Sequence, residues 1–174
     1  TNADNAINYT AGPNSGSDLV GGMTTGLVSV DAYETIEFAN FTGNDDVLEI
    51  ISLAGDDVVN LNNPTTPNGL ERIWVEGNDP TTGSDTVIVN GTTGEDTIQY
   101  NPLTRDSAKI TGVQGVAQVD VRTAELVVVN GQGDDDALTL ETPAGPEDIE
   151  LTPGGVSAPG AGYVTFGSFP APLL

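Results

Sequence analysis

The stretch "GNDDVLEIISLAGDDVV", residues 43–59, contains one short pattern twice. In each copy a glycine, Gly43 or Gly55, is followed by acidic residues and then by a run in which apolar residues predominate. Glycine and aspartate are common turn residues, and short apolar runs bounded by turn residues are typical of β-strands. The stretch therefore predicts two turns, each leading into a short strand.

The pattern Gly-x-Asp-x-apolar occurs three more times, starting at Gly83, Gly94 and Gly133. Neighbouring copies lie 11 or 12 residues apart, which fits a strand of about five residues and a turn. β-branched residues dominate and no segment has helical periodicity, so we predict an all-β fold. Strands are expected at 26–30, 34–39, 46–51, 57–61, 70–76, 85–90, 96–100, 116–121, 125–130, 137–141, 148–152 and 162–166.

The recurrence of the acidic turn at the same point before each strand favours a β-solenoid-like stack of short strands. Short strands at even spacing also fit an antiparallel β-sandwich pair, which is the alternative. A longer repeat is superimposed, because residues 40–50 match residues 130–140 without a gap. We therefore divide the chain into two copies of a β-repeat module, residues 1–90 and 91–174, the second with an uncharged C-terminal segment.

The second informative feature of the sequence is its charge: it has 26 acidic residues and only four cations, so the net charge is −22. Such an excess opposes compaction, and we expect Ca2+ to offset it. The chain has no Cys or His, but calcium binds oxygen ligands, which the acidic turns supply. The predicted ligands are Asp45, Asp57, Asp85, Asp96, Asp134 and Asp135, with Asn44, Asp46, Asp56, Glu95 and Asp136 as secondary donors. The alternative is that these acids lie in plain solvated turns.

Several functions are disfavoured by the same composition. The chain offers no basic patch for nucleic acid and no apolar run long enough for membrane insertion. Without Cys or His, catalysis would need two carboxylates in different environments, whereas the acids here recur periodically. We therefore predict that the protein is not an enzyme. The acidic, Thr/Asn/Gly-rich and lysine-poor composition indicates a secreted, extracellular or cell-surface protein.

Two segments, "NGQGDDDAL" (130–138) and "GTTGEDTIQ" (91–99), resemble the Gly/Asp nonapeptide of RTX calcium-binding β-rolls. In that family the ion lies between stacked consecutive turns. Longer segments resemble the Gly/Asp-rich tandem β-repeats of giant secreted bacterial surface proteins, of the planctomycete type. These segments are "YETIEFANFTGNDDVLEI" (33–50), "AGDDVVNLNNPTTP" (54–67) and "LVVVNGQGDDDALTLETPAG" (126–145). The resemblance implies a structural role outside the cell.

Together these observations predict a structural repeat subunit of a bacterial extracellular filament or surface layer. Its apolar C-terminal segment, "GYVTFGSFPAPLL" (162–174), would join copies head-to-tail into a homopolymer. The alternative is an adhesin or carbohydrate-binding module of a larger secreted protein, with extracellular polysaccharide as its partner. Trp74 could then stack on a sugar, although its alternation with Ile73 and Val75 favours half-buried packing.

Overall fold

The computed structural model describes residues 3–13, 24–39, 41, 45–62, 66–78, 85–104, 106–132 and 134–142, together with the backbone of 163–167. These residues form thirteen β-strands and no helix, so the all-β prediction is confirmed. In chain order the strands are β1 (Ala6–Ala11), β2 (Gly26–Val30), β3 (Ile36–Phe38), β4 (Val47–Ile51), β5 (Val58–Leu61), β6 (Arg72–Glu76), β7 (Thr86–Asn90), β8 (Thr97–Thr104), β9 (Ser107–Thr111), β10 (Gln118–Arg122), β11 (Leu126–Asn130), β12 (Ala137–Leu140) and β13 (Tyr163–Gly167).

Eleven of the twelve predicted strand ranges overlap an observed strand. The twelfth, 148–152, lies outside the described residues. Two strands, β1 and β9, were not predicted. β9 reads "SAKIT", in which a lysine and two hydroxyl residues leave only two apolar positions to indicate a strand.

The strands form two mixed sheets. The first sheet has the order β13-β11-β7-β5-β1-β2-β3, and the second has the order β12-β8-β9-β10-β6-β4. From β3 to β8 each successive strand joins the opposite sheet, and the chain alternates again from β10 to β13. Seven of the eleven strand pairs are parallel, so the alternative of a purely antiparallel sandwich is not what the chain forms.

A single hydrophobic core lies between the sheets. Alternate side chains of each strand point inward, such as Ile73 and Val75 of β6 and Val119 and Val121 of β10. Each fully buried side chain of this kind stabilises the fold by about 1.5–3 kcal/mol. Residues 1–90 and 91–174 both contribute strands to both sheets and side chains to the same core. The division into two related copies remains a prediction.

An aromatic cluster extends this core towards β3. The ring centroids of Tyr9 and Phe38 are 6.1 Å apart, and Phe41 meets Phe38 edge-on at 5.7 Å. Gly26 lies directly against this cluster, because a Cβ at that position would be 2.3 Å from Cζ of Phe38. A glycine is therefore required for β2 and the Phe38 ring to pack together.

Each sheet ends in an outer strand at either side of the stack. The outer strands are β3 and β13 in the first sheet and β4 and β12 in the second. Because later strands in both sheets lie towards β13 and β12, we infer that β3 and β4 share one side and that β13 and β12 share the other. We call the first side, with the adjoining residues Tyr33 and Leu53, the β3/β4 end. The second side is the β12/β13 end.

Candidate functional site: carboxylates at the strand starts

The residues that directly precede the parallel strands of the first sheet form a column. Strand register aligns Ala6 with Val58, Val58 with Thr86, and Thr86 with Leu126. The residue before each of these is polar, and all but the first are acidic: Asn5, Asp57, Asp85 and Glu125. We call this column the first carboxylate ladder.

Neighbouring members of the first carboxylate ladder are joined by hydrogen bonds. The backbone N–H of Asn5 donates to Asp57 Oδ1 at 2.7 Å, and that of Asp57 donates to Asp85 Oδ1 at 2.9 Å. The N–H of Asp85 donates in turn to Glu125 Oε2 at 2.8 Å. In the opposite direction the Asp57 carbonyl accepts from the N–H of Thr86 at 2.8 Å. The side chains therefore satisfy backbone donors just beyond the ends of the strands.

Asp57 is the most buried member of this ladder, with 0% exposure. Its Oδ2 atom is buried and has no hydrogen-bond partner among the described residues. The ion pair that the structure shows in the described part of the chain joins Arg72 and Asp120, not Asp57. A buried carboxylate without a counter-charge costs several kcal/mol, so a cation bound at this position would stabilise the fold.

A second carboxylate ladder precedes two strands of the second sheet. Asp96 lies before β8 and Asp136 before β12, and the N–H of Asp96 donates to Asp136 Oδ1 at 3.0 Å. Asp96 is 1% exposed, and both of its carboxylate oxygens have donors. Oδ1 accepts from the N–H of Gln114 at 2.7 Å, and Oδ2 accepts from the N–H and Oγ1 of Thr92 at 2.6 and 3.0 Å. Charge-assisted bonds of this kind are strong, and here they fix the turn before β8.

A third carboxylate ladder, also of two residues, precedes β4 and β6 of the second sheet. Asp46 and Glu71 occupy the aligned positions before these strands. The N–H of Glu71 donates to the Asp46 carbonyl at 3.0 Å, and the N–H of Asp45 donates to Glu71 Oε2 at 3.2 Å. Glu71 is exposed, so this pair lies nearer to solvent than the other two ladders.

The structure divides the predicted calcium ligands by their position in the turn. Those directly before a strand are fully or partly buried: Asp46, Asp57, Asp85, Asp96 and Asp136. Those earlier in the turn are exposed: Asp45, Asp56, Glu95, Asp134 and Asp135. Asn44 lies outside the described residues. Within the described ranges no group of three or more acidic side chains is arranged to hold a metal ion, and the calcium site remains a prediction.

Sequence reasoning missed three ladder members: Asn5, Glu71 and Glu125. None belongs to a Gly-x-Asp phrase, and the signal that could have identified them is a polar residue directly before an apolar strand. It also missed a side-chain amide ladder at the ends of strands in the first sheet. Asn90 Nδ2 donates to Asn60 Oδ1 at 2.8 Å, and Asn130 Nδ2 donates to Asn90 Oδ1 at 3.1 Å.

Hydrogen bonds or burial shift the pKa values of three further groups, Asp31, Tyr100 and Tyr9. The pKa of Asp31 is lowered by hydrogen bonds that its carboxylate accepts from the N–H of Ala6 and the side chain of Asn5. Burial raises the pKa of Tyr100 to about 12 and raises that of Tyr9 further. Both tyrosines therefore stay neutral in the folded protein well above neutral pH.

Comparison with protein-family models, with curated proteins and with solved structures gave no match for this chain. The described residues include no helix of the length and hydrophobicity needed to cross a membrane.

Proposed function

We propose that this chain is a structural repeat unit of a bacterial extracellular filament or surface layer, in which copies join end to end. One observation carries the proposal. Among the described residues seven large apolar side chains are exposed, and four of them lie at the β3/β4 end: Tyr33, Ile36, Ile51 and Leu53. Apolar side chains beside unpaired strand edges favour the addition of strands from another molecule.

The direction of the outer strands supports the same contact. β3 runs parallel to β1, because two antiparallel pairings separate them, and β1 is parallel to the strands that lead to β13. By the same reasoning β4 and β12 run in one direction. The β12/β13 end of one copy would therefore extend both sheets of the next copy with parallel pairs.

Such a contact joins two different surfaces and does not close on itself, so it would generate a filament. Each copy would act as a short segment of a two-sheet β-solenoid, interrupted by the antiparallel meanders β1-β2-β3 and β8-β9-β10. The alternation of strands between two sheets supports this interpretation. An extracellular location is proposed from the acidic, lysine-poor composition.

Electron microscopy of the purified chain tests the assembly. Filaments or sheets that lengthen as protein concentration rises would support the proposal. Isolated particles of one chain at every concentration, with and without calcium, would contradict it.

We further propose that Ca2+ binds at the first carboxylate ladder, with Asp57 as the central ligand and Asp85 beside it. The proposal is supported by the burial of Asp57, by its unpartnered Oδ2 and by the net charge of −22. Calcium takes backbone carbonyl as well as carboxylate oxygens, so it does not require three acidic side chains.

The variant Asp57→Asn tests the calcium site, with Asp56→Asn as the matched control. Asp56 is the preceding residue and is exposed. We expect calcium to raise the melting temperature of the wild type and of Asp56→Asn, and to leave Asp57→Asn unchanged. In chelator Asp57→Asn should be at least as stable as the wild type, because it removes a buried charge. A wild type whose melting temperature is the same in calcium and in chelator would contradict the calcium proposal.

A further inference from the structure

The outer face of the second sheet carries an unusual group of side chains. Three of the four cations in the chain point outward from it: Arg72 on β6, Lys109 on β9 and Arg122 on β10. Cross-strand register places Asp120 between Trp74 and Lys109 on the same face. In a chain with 26 acidic residues and four cations, this concentration of cations distinguishes the face from the rest of the described surface.

A groove of about 450 Å³ lies on this face. It is lined by Arg72, Gln118, Asp120 and Arg122, and by Leu103 from β8 and Ser107 from β9. The volume is in the range of small-molecule sites. The groove therefore combines hydrogen-bond donors, an acceptor and an apolar side chain within one ligand-sized space.

Asp120 is held in a fixed position within this groove. Gln118 Nε2 lies 2.9 Å from both of its carboxylate oxygens, and Arg72 Nε lies 3.0 Å from Oδ2. The Asp120 side chain is 17% exposed, whereas that of Arg72 is 41% exposed. The groove thus presents a positioned acceptor beside a positioned guanidinium, and such preorganisation lowers the cost of binding.

Arg122 is fixed in a different way. Its guanidinium carbon lies 3.6 Å from the centroid of the Trp74 ring, a cation–π contact that uses the face of the guanidinium. The N–H groups in the guanidinium plane remain able to donate. Arg122 forms no ion pair within the described part of the chain, so these donors are available to a ligand.

We infer that this groove binds a neutral oligosaccharide. Adjacent sugar hydroxyls both donate and accept, so one can donate to Asp120 while its neighbour accepts from Arg72 or Arg122. Leu103, which is 60% exposed, offers apolar surface to the C–H face of a sugar ring. An anionic ligand is disfavoured, because the net charge of −22 repels it at long range and, among the described lining residues, Asp106 and Asp120 match Arg72 and Arg122 in number. The site is independent of end-to-end assembly.

Isothermal titration of the full chain tests the site, using cello-, xylo- and manno-oligosaccharides beside an oligogalacturonate. We expect at least one neutral oligosaccharide to bind with an affinity that does not change with salt. Asp120→Asn and Arg122→Lys should each weaken it about tenfold, since each loses a hydrogen bond to a charged group. Gln99→Ala, on the same face of β8 but outside the groove, should leave the affinity unchanged.

Three results would overturn the inference. The first is no binding of any neutral oligosaccharide by the folded wild type. The second is binding of the oligogalacturonate alone, with an affinity that falls as salt is added. The third is neutral binding that persists undiminished in Arg122→Lys, a variant that keeps the charge and is expected to fold. Circular dichroism of each variant confirms that a loss of binding is not a loss of folding.

Discussion

Whether an acidic side chain in these turns is exposed or buried is decided by a difference of one residue in its position. Asp56 is exposed, whereas Asp57, directly before β5, is fully buried. Counting from the glycine places Asp45 in the same position as Asp57, but Asp46 is the residue that directly precedes its strand. The reason is an extra turn residue: Asp45 has a left-handed backbone, with φ of 67°. A sequence pattern based on the glycine cannot detect this change in turn length.

Asp96 and Glu95 provide a direct test of that distinction. Asp96→Asn should lower the free energy of unfolding by about 2–3 kcal/mol, because an amide group in place of Oδ2 cannot accept the two bonds from Thr92. Glu95→Gln, at the exposed neighbouring position, should change it by less than about 0.5 kcal/mol. Urea denaturation of both variants measures the difference. Equal changes in the free energy of unfolding for the two variants would show that the buried position before the strand contributes no more to stability than the exposed one.

The buried tyrosines predict a specific loss of stability at alkaline pH. Burial raises the pKa of Tyr100 from 10.0 to about 12, so above pH 10 the unfolded chain ionises while the folded protein stays neutral. The contribution is constant below pH 10, and the free energy of unfolding falls as pH rises from 10 to 12, by about 2 kcal/mol for this residue. The double variant Tyr9→Phe, Tyr100→Phe should lose less stability over this range. Denaturation curves between pH 8 and 12 measure this difference. Equal decreases in the free energy of unfolding of the variant and of the wild type would contradict the prediction.

At the scale of elements, most strands could be predicted but their partners could not. Apolar runs such as "TVIVN" of β7 indicate a strand locally. Pairing depends on residues far apart in the chain, since Ala6 of β1 aligns with Val58 of β5 and Thr86 of β7 aligns with Leu126 of β11. The three ladders depend on this register, so the sequence predicted most of the acids of the candidate site, missed Glu71 and Glu125, and predicted none of their contacts.

The amide ladder should stabilise the pairing of β5, β7 and β11. Asn90→Ala removes the bonds to Asn60 and Asn130 together, and we expect a loss of about 1–2 kcal/mol. Gln99→Ala, at an exposed amide on β8 of the second sheet, is the control and should cost less. Thermal unfolding followed by circular dichroism compares them. A control as destabilised as Asn90→Ala would show that the ladder adds nothing specific.

At the scale of the whole molecule, the ladders run in the direction in which strands are added to each sheet. The carboxylate ladders run across successive strands of each sheet, so a second copy added at the β3/β4 end would continue the stack along the same axis. The sequence predicted an end-to-end contact from its uncharged C-terminal segment. It could not indicate the receiving surface, because Ile36 and Ile51 lie on outer strands only once the sheets have formed.

Sedimentation velocity of the variant Ile36→Lys, Ile51→Lys, beside the wild type and Leu103→Lys, tests end-to-end assembly most directly. Lysines on the outer strands β3 and β4 should block strand addition, and Leu103 is an equally exposed apolar residue away from that end. We predict that the wild type and Leu103→Lys form species that grow with concentration, whereas the double variant sediments as a single chain. Equal growth of all three proteins, or none in any, would contradict the account.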